Sequence, residues 1–188
     1  MVSDRTYDRS KTALAAGQIL GEDSALVAAG VLSFENALKL VQQRGDLMGT
    51  YGEGEMSAFP LSVDAIRPIA ERHFCAIAGC NLPEQTVIGG SASDLEKVEQ
   101  EVQEQFERAR ATRLKTEGAF HTYYMVEAAR NYRKVLDGAD FAASDIGVLS
   151  NFTGRVHNSE PASIRAGLFF QLFHPVMWHA NMQAAFEQ

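Results

Sequence analysis

Three places in the sequence combine residue types that could act on a carbonyl or carboxylate group. His121 has an imidazole, the side chain best matched to proton transfer near neutral pH. Arg44 has a planar guanidinium that can bond both oxygens of a carboxylate. The segment Gly17–Glu22, with the sequence GQILGE, opens a long apolar run of helical spacing. On residue type alone, His121 can also be a structural residue at a helix start, and Arg44 a surface residue near a helix end.

The segment Gly17–Glu22 has the composition of a sharp turn that leads into a helix. Such a turn needs small flanking residues, and the helix N-terminus that follows it stabilises developing negative charge. Gly17 and Gly21 meet the first requirement. Ile19 has no atom that can attack a thioester, and its β-branched side chain fits poorly where φ is positive. The segment resembles the strand-to-helix turn on which acyltransferases carry a catalytic serine, and the resemblance implies a nucleophile turn without the nucleophile.

Other residues are poor substitutes for a nucleophile at position 19. Ser24 and Ser33 lie further along the helical run, displaced by several ångströms at about 1.5 Å per residue. A displacement of about 1 Å can cost two orders of magnitude in rate. Cys75 and Cys80 lack the spacing of a zinc site, and we expect reduced, partly buried thiols. No metal and no cofactor are expected.

These segments resemble the malonyl-CoA:acyl-carrier-protein transacylases, the acyltransferases of fatty-acid and polyketide synthesis. GQILGE is similar to the family's Gly-His-Ser-Leu-Gly-Glu, which places the family's catalytic serine at Ile19. The block Gly118–His121 resembles the family's Gly-Ala-Phe-His, which implies that His121 is the general base. Arg44 stands in Arg-Gly-x-Leu-Met, and the resemblance implies that it binds the free carboxylate of malonyl.

The same resemblance implies three further site residues. Phe120 belongs to the Ala-Phe-His form that goes with malonyl units, since a phenylalanine would crowd an α-methyl group. Asn81 lies in Asn-x-Pro-x-Gln, similar to a loop beside the active site, although Asn and Pro are also ordinary turn residues. Gln171 matches a position whose backbone carbonyl orients the catalytic histidine.

The resemblance implies transfer of malonyl from coenzyme A to the phosphopantetheine thiol of an acyl carrier protein, through an acyl-serine. Because Ile19 replaces that serine, we expect a chain that is impaired or inactive in this reaction. The alternative is a non-catalytic module that docks to a carrier protein or a synthase subunit. A pull-down with the carrier protein tests the second interpretation.

Composition limits the remaining function classes. The 188 residues carry a net charge of −7, which argues against general nucleic-acid binding because phosphate contacts need clustered Lys and Arg. No apolar run is long enough to span a bilayer, and the first residues lack a signal-peptide core. A cytoplasmic location is therefore expected.

The order of elements predicts an α/β fold, a partial hydrolase-like core with an inserted ferredoxin-like α+β subdomain. Residues 55–117 are expected to form the subdomain, and residues 17–54 and 118–188 the core. Residues 1–16 are expected to be a leader outside the family region, since 11–16 is alanine-rich and predicts weak helix rather than a buried strand. The resemblance covers residues 20–188 and only the middle of the family domain, as in a truncated member.

Periodicity and capping residues give the predicted elements. Gly30 and an N-cap at Ser33 divide the first helical run in two. Further helices are predicted at 62–72, 93–110, 123–136 and 161–173, and strands at 56–59, 74–78, 85–90, 112–116 and 146–152.

Overall fold

The computed structural model describes residues 12–187, which form a mixed α/β fold with two separate sheets. The helices are α1 (Leu20–Ala29), α2 (Phe34–Tyr51), α3 (Val63–Arg72), α4 (Ala92–Gln105), α5 (Val126–Asp137), α6 (Pro161–Gln171) and α7 (Trp178–Phe186). The strands are β1 (Leu14–Ala15), β2 (Glu55–Phe59), β3 (Ala76–Leu82), β4 (Gln85–Gly90), β5 (Thr112–Arg113), β6 (Gly147–Ser150) and β7 (Arg155–Val156). None of the helices described is long and apolar enough to cross a membrane.

The smaller sheet has the order β1-β6-β7, and its strand β1 comes directly before the turn at Ile19. Strand β1 runs parallel to β6, with Leu14 opposite Gly147 and Ala15 opposite Val148. The prediction of weak helix at 11–16, with no strand before the turn, is therefore wrong. Pairing with β6 outweighs the helix propensity of the alanines, because strand formation depends on neighbours more than on intrinsic preference.

Helices α1, α2, α5 and α6 share one hydrophobic core with this sheet. Its fully buried members include Leu26, Leu40, Tyr132 and Leu168. The predicted division of the first helical run is confirmed. Gly30 ends α1 in the left-handed conformation at φ 77°, and the Oγ of Ser33 accepts a hydrogen bond from the backbone N–H of Asn36 at 3.1 Å.

The larger sheet is antiparallel, with the order β3-β4-β2-β5. Helices α3 and α4 pack against it around a second core that includes Phe59, Ile66, Ile88 and Leu95. Strand, helix, strand, strand, helix and strand follow one another in the predicted order. The two-sheet arrangement leaves a cleft beside β3 and β4, near the turn at Ile19.

Several boundaries differ from the predicted ones. Helix α4 begins after Ser91 rather than at Ser93, because the Ser91 Oγ accepts from the backbone N–H of Asp94 at 3.2 Å. Strand β3 begins at Ala76, since the backbone N–H of Cys75 still bonds to the end of α3. Strand β5 is shorter than predicted, and β7 has no counterpart in the prediction.

Candidate active site

A cavity of about 410 Å³ lies between the turn at Ile19, helix α2 and the larger sheet. Five of the six predicted site residues line it: Ile19, Arg44, Asn81, Phe120 and His121. The sixth, Gln171, lies behind His121. The fold therefore brings together residues that are up to about a hundred positions apart in the chain.

The turn before α1 has the strained backbone that the sequence predicts. Ile19 adopts φ 58° and ψ −112°, a region unfavourable for any residue with a Cβ and most of all for a β-branched one. Gly17 is essential to the turn, because a Cβ there would lie 1.9 Å from the backbone oxygen of Gly21. Gly21 itself is not constrained in this way, since a Cβ at that position meets open space.

Asn151, a residue for which the sequence carries no functional signal, holds this turn. Its Nδ2 donates to the carbonyl oxygen of Gly17 at 2.7 Å, and its Oδ1 accepts from the backbone N–H of Ile19 at 2.8 Å. The backbone N–H of Asn151 donates to the Oε2 of Glu22 at 2.9 Å. The fully buried side chain of Asn151 thus connects residue 17 to residue 19.

The imidazole of His121 is oriented by a backbone carbonyl. Its Nδ1 lies 2.7 Å from the oxygen of Gln171, which can only accept, so Nδ1 carries the proton and Nε2 is the unprotonated nitrogen. The side chain is 4% exposed. Burial, reinforced by the charge of Arg44, lowers the pKa of His121 to about 4, against the opposing effect of the bond to Gln171. At neutral pH this imidazole is neutral and able to accept a proton at Nε2.

A buried network connects Gln171 to the turn. The Nε2 of Gln171 donates to the Oε2 of Glu22 at 2.6 Å, and the Oε1 of Glu22 lies 2.6 Å from the Nε2 of His157. Glu22 and His157 are both buried, and the sequence carried no signal for a role of His157. Their contacts join positions 135 apart, so no local pattern could have revealed them.

Arg44 is not the surface residue that its type alone allows. It is 2% exposed, and among the residues described its Nε and Nη2 have no hydrogen-bond partner. Its nearest acid is Asp23, with 3.7 Å between Nη1 and Oδ2. Buried donors without partners cost free energy, so Arg44 is a cavity-lining cation with unused hydrogen-bonding capacity.

Asp23, beside Arg44, is a further residue that the sequence did not indicate. It is 2% exposed, and neither carboxylate oxygen has a hydrogen-bond partner among the residues described. Burial raises the pKa of Asp23 to about 6, an effect that Arg44 opposes and Glu22 reinforces.

Phe120 and Asn81 both line the cavity. Phe120 packs against a small cluster formed by Met56, Ala78 and Val87 of the larger sheet. The Oδ1 of Asn81 accepts a hydrogen bond from the Nε2 of Gln18 at 2.9 Å. The β3–β4 hairpin is thereby connected to the turn that carries Ile19.

Other candidate nucleophiles lie away from the cavity lining. Ser24 is exposed and Ser33 caps α2. Cys75 is buried and Cys80 half-buried, and burial raises the pKa of the Cys75 thiol to about 11 and that of Cys80 in the same direction. Within residues 12–187, no group of three His, Cys, Asp or Glu side chains could hold a metal ion.

Comparison with known proteins relates the chain to one family. Residues 8–166 match the model of the acyl transferase domain, a match that begins inside the predicted leader 1–16. The chain is 35% identical over 176 residues to the malonyl CoA-acyl carrier protein transacylase of Bacillus subtilis, covering 89% of this chain and 55% of that protein. Among solved structures, an acyl-carrier-protein S-malonyltransferase from Burkholderia pseudomallei superposes with a TM-score of 0.88 at 33% identity, over 93% of this chain and 59% of that one.

A second solved structure is a complex of a type II PKS acyl-carrier protein with its malonyl-transacylase. It matches with a TM-score of 0.84 at 31% identity, over 94% of this chain and 59% of that chain. The chain therefore spans less than two thirds of the length of these relatives.

Proposed function

The chain belongs to the acyl transferase domain family, and from this premise we propose that it carries a malonyl-CoA:acyl-carrier-protein transacylase site that binds malonyl but forms no acyl-enzyme at residue 19. The substrate is malonyl-CoA, and the acceptor is the phosphopantetheine thiol of an acyl carrier protein. The solved complex of a malonyl-transacylase with a type II PKS acyl-carrier protein supports this partner. We propose a synthase subunit as a further binding partner.

The buried guanidinium of Arg44 is the main observation that supports the proposal. Its Nε and Nη2 lack partners among the residues described, and it lines the same cavity as Ile19 and His121. A malonyl thioester has a carboxylate at one end and a reactive carbonyl at the other. With the carboxylate on the guanidinium fork, the carbonyl is held within the cavity that His121 also lines.

Phe120 would supply the preference for malonyl. It belongs to an apolar wall with Met56 and Val87, and added bulk at the α-carbon of the acyl group would press against that wall. One methyl group in such a pocket is worth about 1–3 kcal/mol of discrimination.

The missing step is nucleophilic attack. With a serine at position 19, Oγ would give its proton to Nε2 of His121 and bond to the thioester carbon. The C–S bond would then break, and the CoA thiolate would take the proton back from His121. Ile19 has no atom for this step, and the bond from Nδ1 of His121 to the oxygen of Gln171 supports Nε2 as the base.

We also infer the finer architecture that the sequence predicts. The strand order β3-β4-β2-β5 with α3 and α4 supports a ferredoxin-like subdomain at residues 55–117, inserted in a hydrolase-like core at 17–54 and 118–188. A purely docking role is not favoured, because unpaired buried donors and an oriented imidazole are features of a ligand site.

Intact-protein mass spectrometry after incubation with malonyl-CoA tests the proposal. We expect no adduct on the unmodified chain or on Ile19→Ala, and one malonyl group on Ile19→Ser. Adding His121→Ala to Ile19→Ser should slow acylation by about 10²–10⁴-fold.

Two outcomes would contradict it. An adduct on the unmodified chain would reveal another nucleophile. A folded Ile19→Ser variant that remains unmodified would show that the site is not otherwise built for transfer.

A further inference from the structure

Asp23 is a buried acidic residue that has no role in the proposed transfer reaction. It follows Glu22 on α1, and its Oδ2 approaches the Nη1 of Arg44 to 3.7 Å, beyond hydrogen-bond distance. Arg44 lines the cavity and Asp23 does not. Asp23 therefore contacts the guanidinium without lining the cavity, and Nε and Nη2 of Arg44 have no hydrogen-bond partner among the residues described.

A ligand carboxylate on Arg44 would create an excess of negative charge beside two buried side chains, Arg44 and Asp23. Two carboxylates would then share one guanidinium, and like charges at short range in a buried site cannot all remain ionised without cost. Asp23 is the carboxylate that is most readily protonated, because neither of its oxygens accepts a hydrogen bond from a described residue.

From this arrangement, and resting on the proposed function, we propose that Asp23 is a specificity-determining residue that takes up a proton when an anionic acyl group binds Arg44. The site thereby becomes a proton-linked binder of carboxylate-bearing acyl-CoA. Acyl groups without a charge bind without this linkage.

Other charged or titratable groups face the pair from each neighbouring element. Glu22 on α1 has its oxygens engaged by Gln171, Asn151 and His157. Tyr132 on α5 is kept a neutral phenol, since burial and then the charge of Asp23 raise its pKa. His121 faces Arg44 and has a pKa lowered to about 4.

The direction of the pH effect follows from the ionisation of Asp23. Its pKa is raised to about 6, so at lower pH the group is already neutral and binding takes up no proton there. Above that pH, binding forces Asp23 to take up a proton, and the affinity for the anionic ligand falls as pH rises. Each unit by which the bound pKa exceeds the free pKa corresponds to about tenfold in affinity.

Isothermal titration calorimetry in two buffers of different ionisation enthalpy measures the protons taken up. The full-length chain is titrated with malonyl-CoA and with acetyl-CoA at about pH 7. These ligands share every group of CoA, so the difference between them isolates the carboxylate. We expect net uptake with malonyl-CoA relative to acetyl-CoA, and affinity for malonyl-CoA that weakens about tenfold between about pH 6 and pH 8.

Two variants identify the residue that takes up the proton. Asp23→Asn should abolish the difference in uptake and flatten the pH profile. Asp46→Asn, which removes an exposed acid from the helix that carries Arg44, should keep both. Uptake that persists in Asp23→Asn, or that is absent from the unmodified chain, overturns the assignment.

Two further results are decisive. If Asp23→Asn does not melt cooperatively, His121→Gln replaces it: retained uptake supports Asp23, and lost uptake assigns the proton to His121. If malonyl-CoA binds no better than acetyl-CoA at any pH tested, the proposed function itself fails. Malonyl-CoA binding without proton uptake overturns only the role of Asp23.

Discussion

The backbone carbonyl oxygen of Gln171 lies 2.7 Å from Nδ1 of His121 and sets which ring nitrogen carries the proton. A carbonyl oxygen cannot donate, so the other nitrogen, Nε2, is the one available as a base. The same residue reaches Glu22 through its side chain, at 2.6 Å from the carboxylate. Gln171 therefore contacts both the imidazole of His121 and the acidic residue at the start of α1.

The ionisation of His121 predicts the pH profile of an Ile19→Ser variant. Burial and the charge of Arg44 lower the pKa of His121 to about 4. Above that pH the imidazole is neutral and can act as a base, and it loses this ability as it becomes protonated at lower pH. At saturating malonyl-CoA, the acylation rate measured by quenched-flow mass spectrometry should be level near neutrality and fall only in acid, below the ordinary pKa of a histidine.

His174→Ala in the same background is the matched control for this profile. The Nδ1 of His174 also faces a backbone carbonyl, that of Phe170 at 2.9 Å, but His174 does not line the cavity. This variant should keep the rate and the profile. An apparent pKa near 6 or 7 in the parent would contradict the buried, neutral His121.

Arg44→Lys should separate charge from hydrogen-bond geometry. Lysine keeps the positive charge near Asp23 but loses the fork that bonds two carboxylate oxygens. Hydrogen bonds to charged groups contribute about 1.5–3 kcal/mol, so binding of malonyl-CoA should weaken by about ten- to a hundredfold.

Calorimetry with acetyl-CoA supplies the reference for Arg44→Lys, because that ligand has no carboxylate for the fork. The affinity of Arg44→Lys for acetyl-CoA should be unchanged. The control Arg133→Lys alters an exposed arginine that is paired with Asp137 on α5, and its affinity for either ligand should be unchanged. Equal loss of both ligands in Arg44→Lys would point to damage of the cavity instead.

Two truncations at position 19 should differ in stability although both remove the isoleucine side chain. Ile19→Ala retains a Cβ at φ 58°, whereas Ile19→Gly relieves that strain. We expect the free energy of unfolding of Ile19→Gly to exceed that of Ile19→Ala by about 1 kcal/mol, measured by urea denaturation. Greater stability of the alanine variant would show that the backbone at this position is relaxed.

The two glycines that flank Ile19 should respond in opposite ways to alanine. Gly17→Ala places a Cβ 1.9 Å from the oxygen of Gly21, so a severe loss of folded protein is expected. Gly21→Ala meets open space within α1, where alanine favours the helix by about 0.5–1 kcal/mol, and the melting temperature should rise. Thermal melts of the two variants check both directions, and a stable Gly17→Ala would contradict the close approach.

Local sequence patterns predicted most helices and strands, because capping residues and apolar periodicity act over a few positions. Ser33 and Gly30 divided α1 from α2 as expected. Strand β1 was missed because its two residues become a strand only by pairing with β6.

The cavity-lining residues could be named in advance only where they belong to recognisable blocks, as Arg44, Phe120 and His121 do. Asn151 and Glu22 act through hydrogen bonds to groups 129 and more positions away. Asp23 became notable only through its burial beside Arg44. Such contacts depend on the tertiary fold, and a single sequence carries no periodic signal for them.

The hydrogen bonds from Asn151 to the turn are made to backbone atoms of residues 17 and 19 and do not involve the side chain of residue 19. These bonds therefore do not depend on which side chain stands at position 19, provided that the residue has a backbone N–H. A serine, threonine or cysteine introduced there would be held by the same two contacts, so the backbone frame of this turn can be used to present nucleophiles of different chemistry.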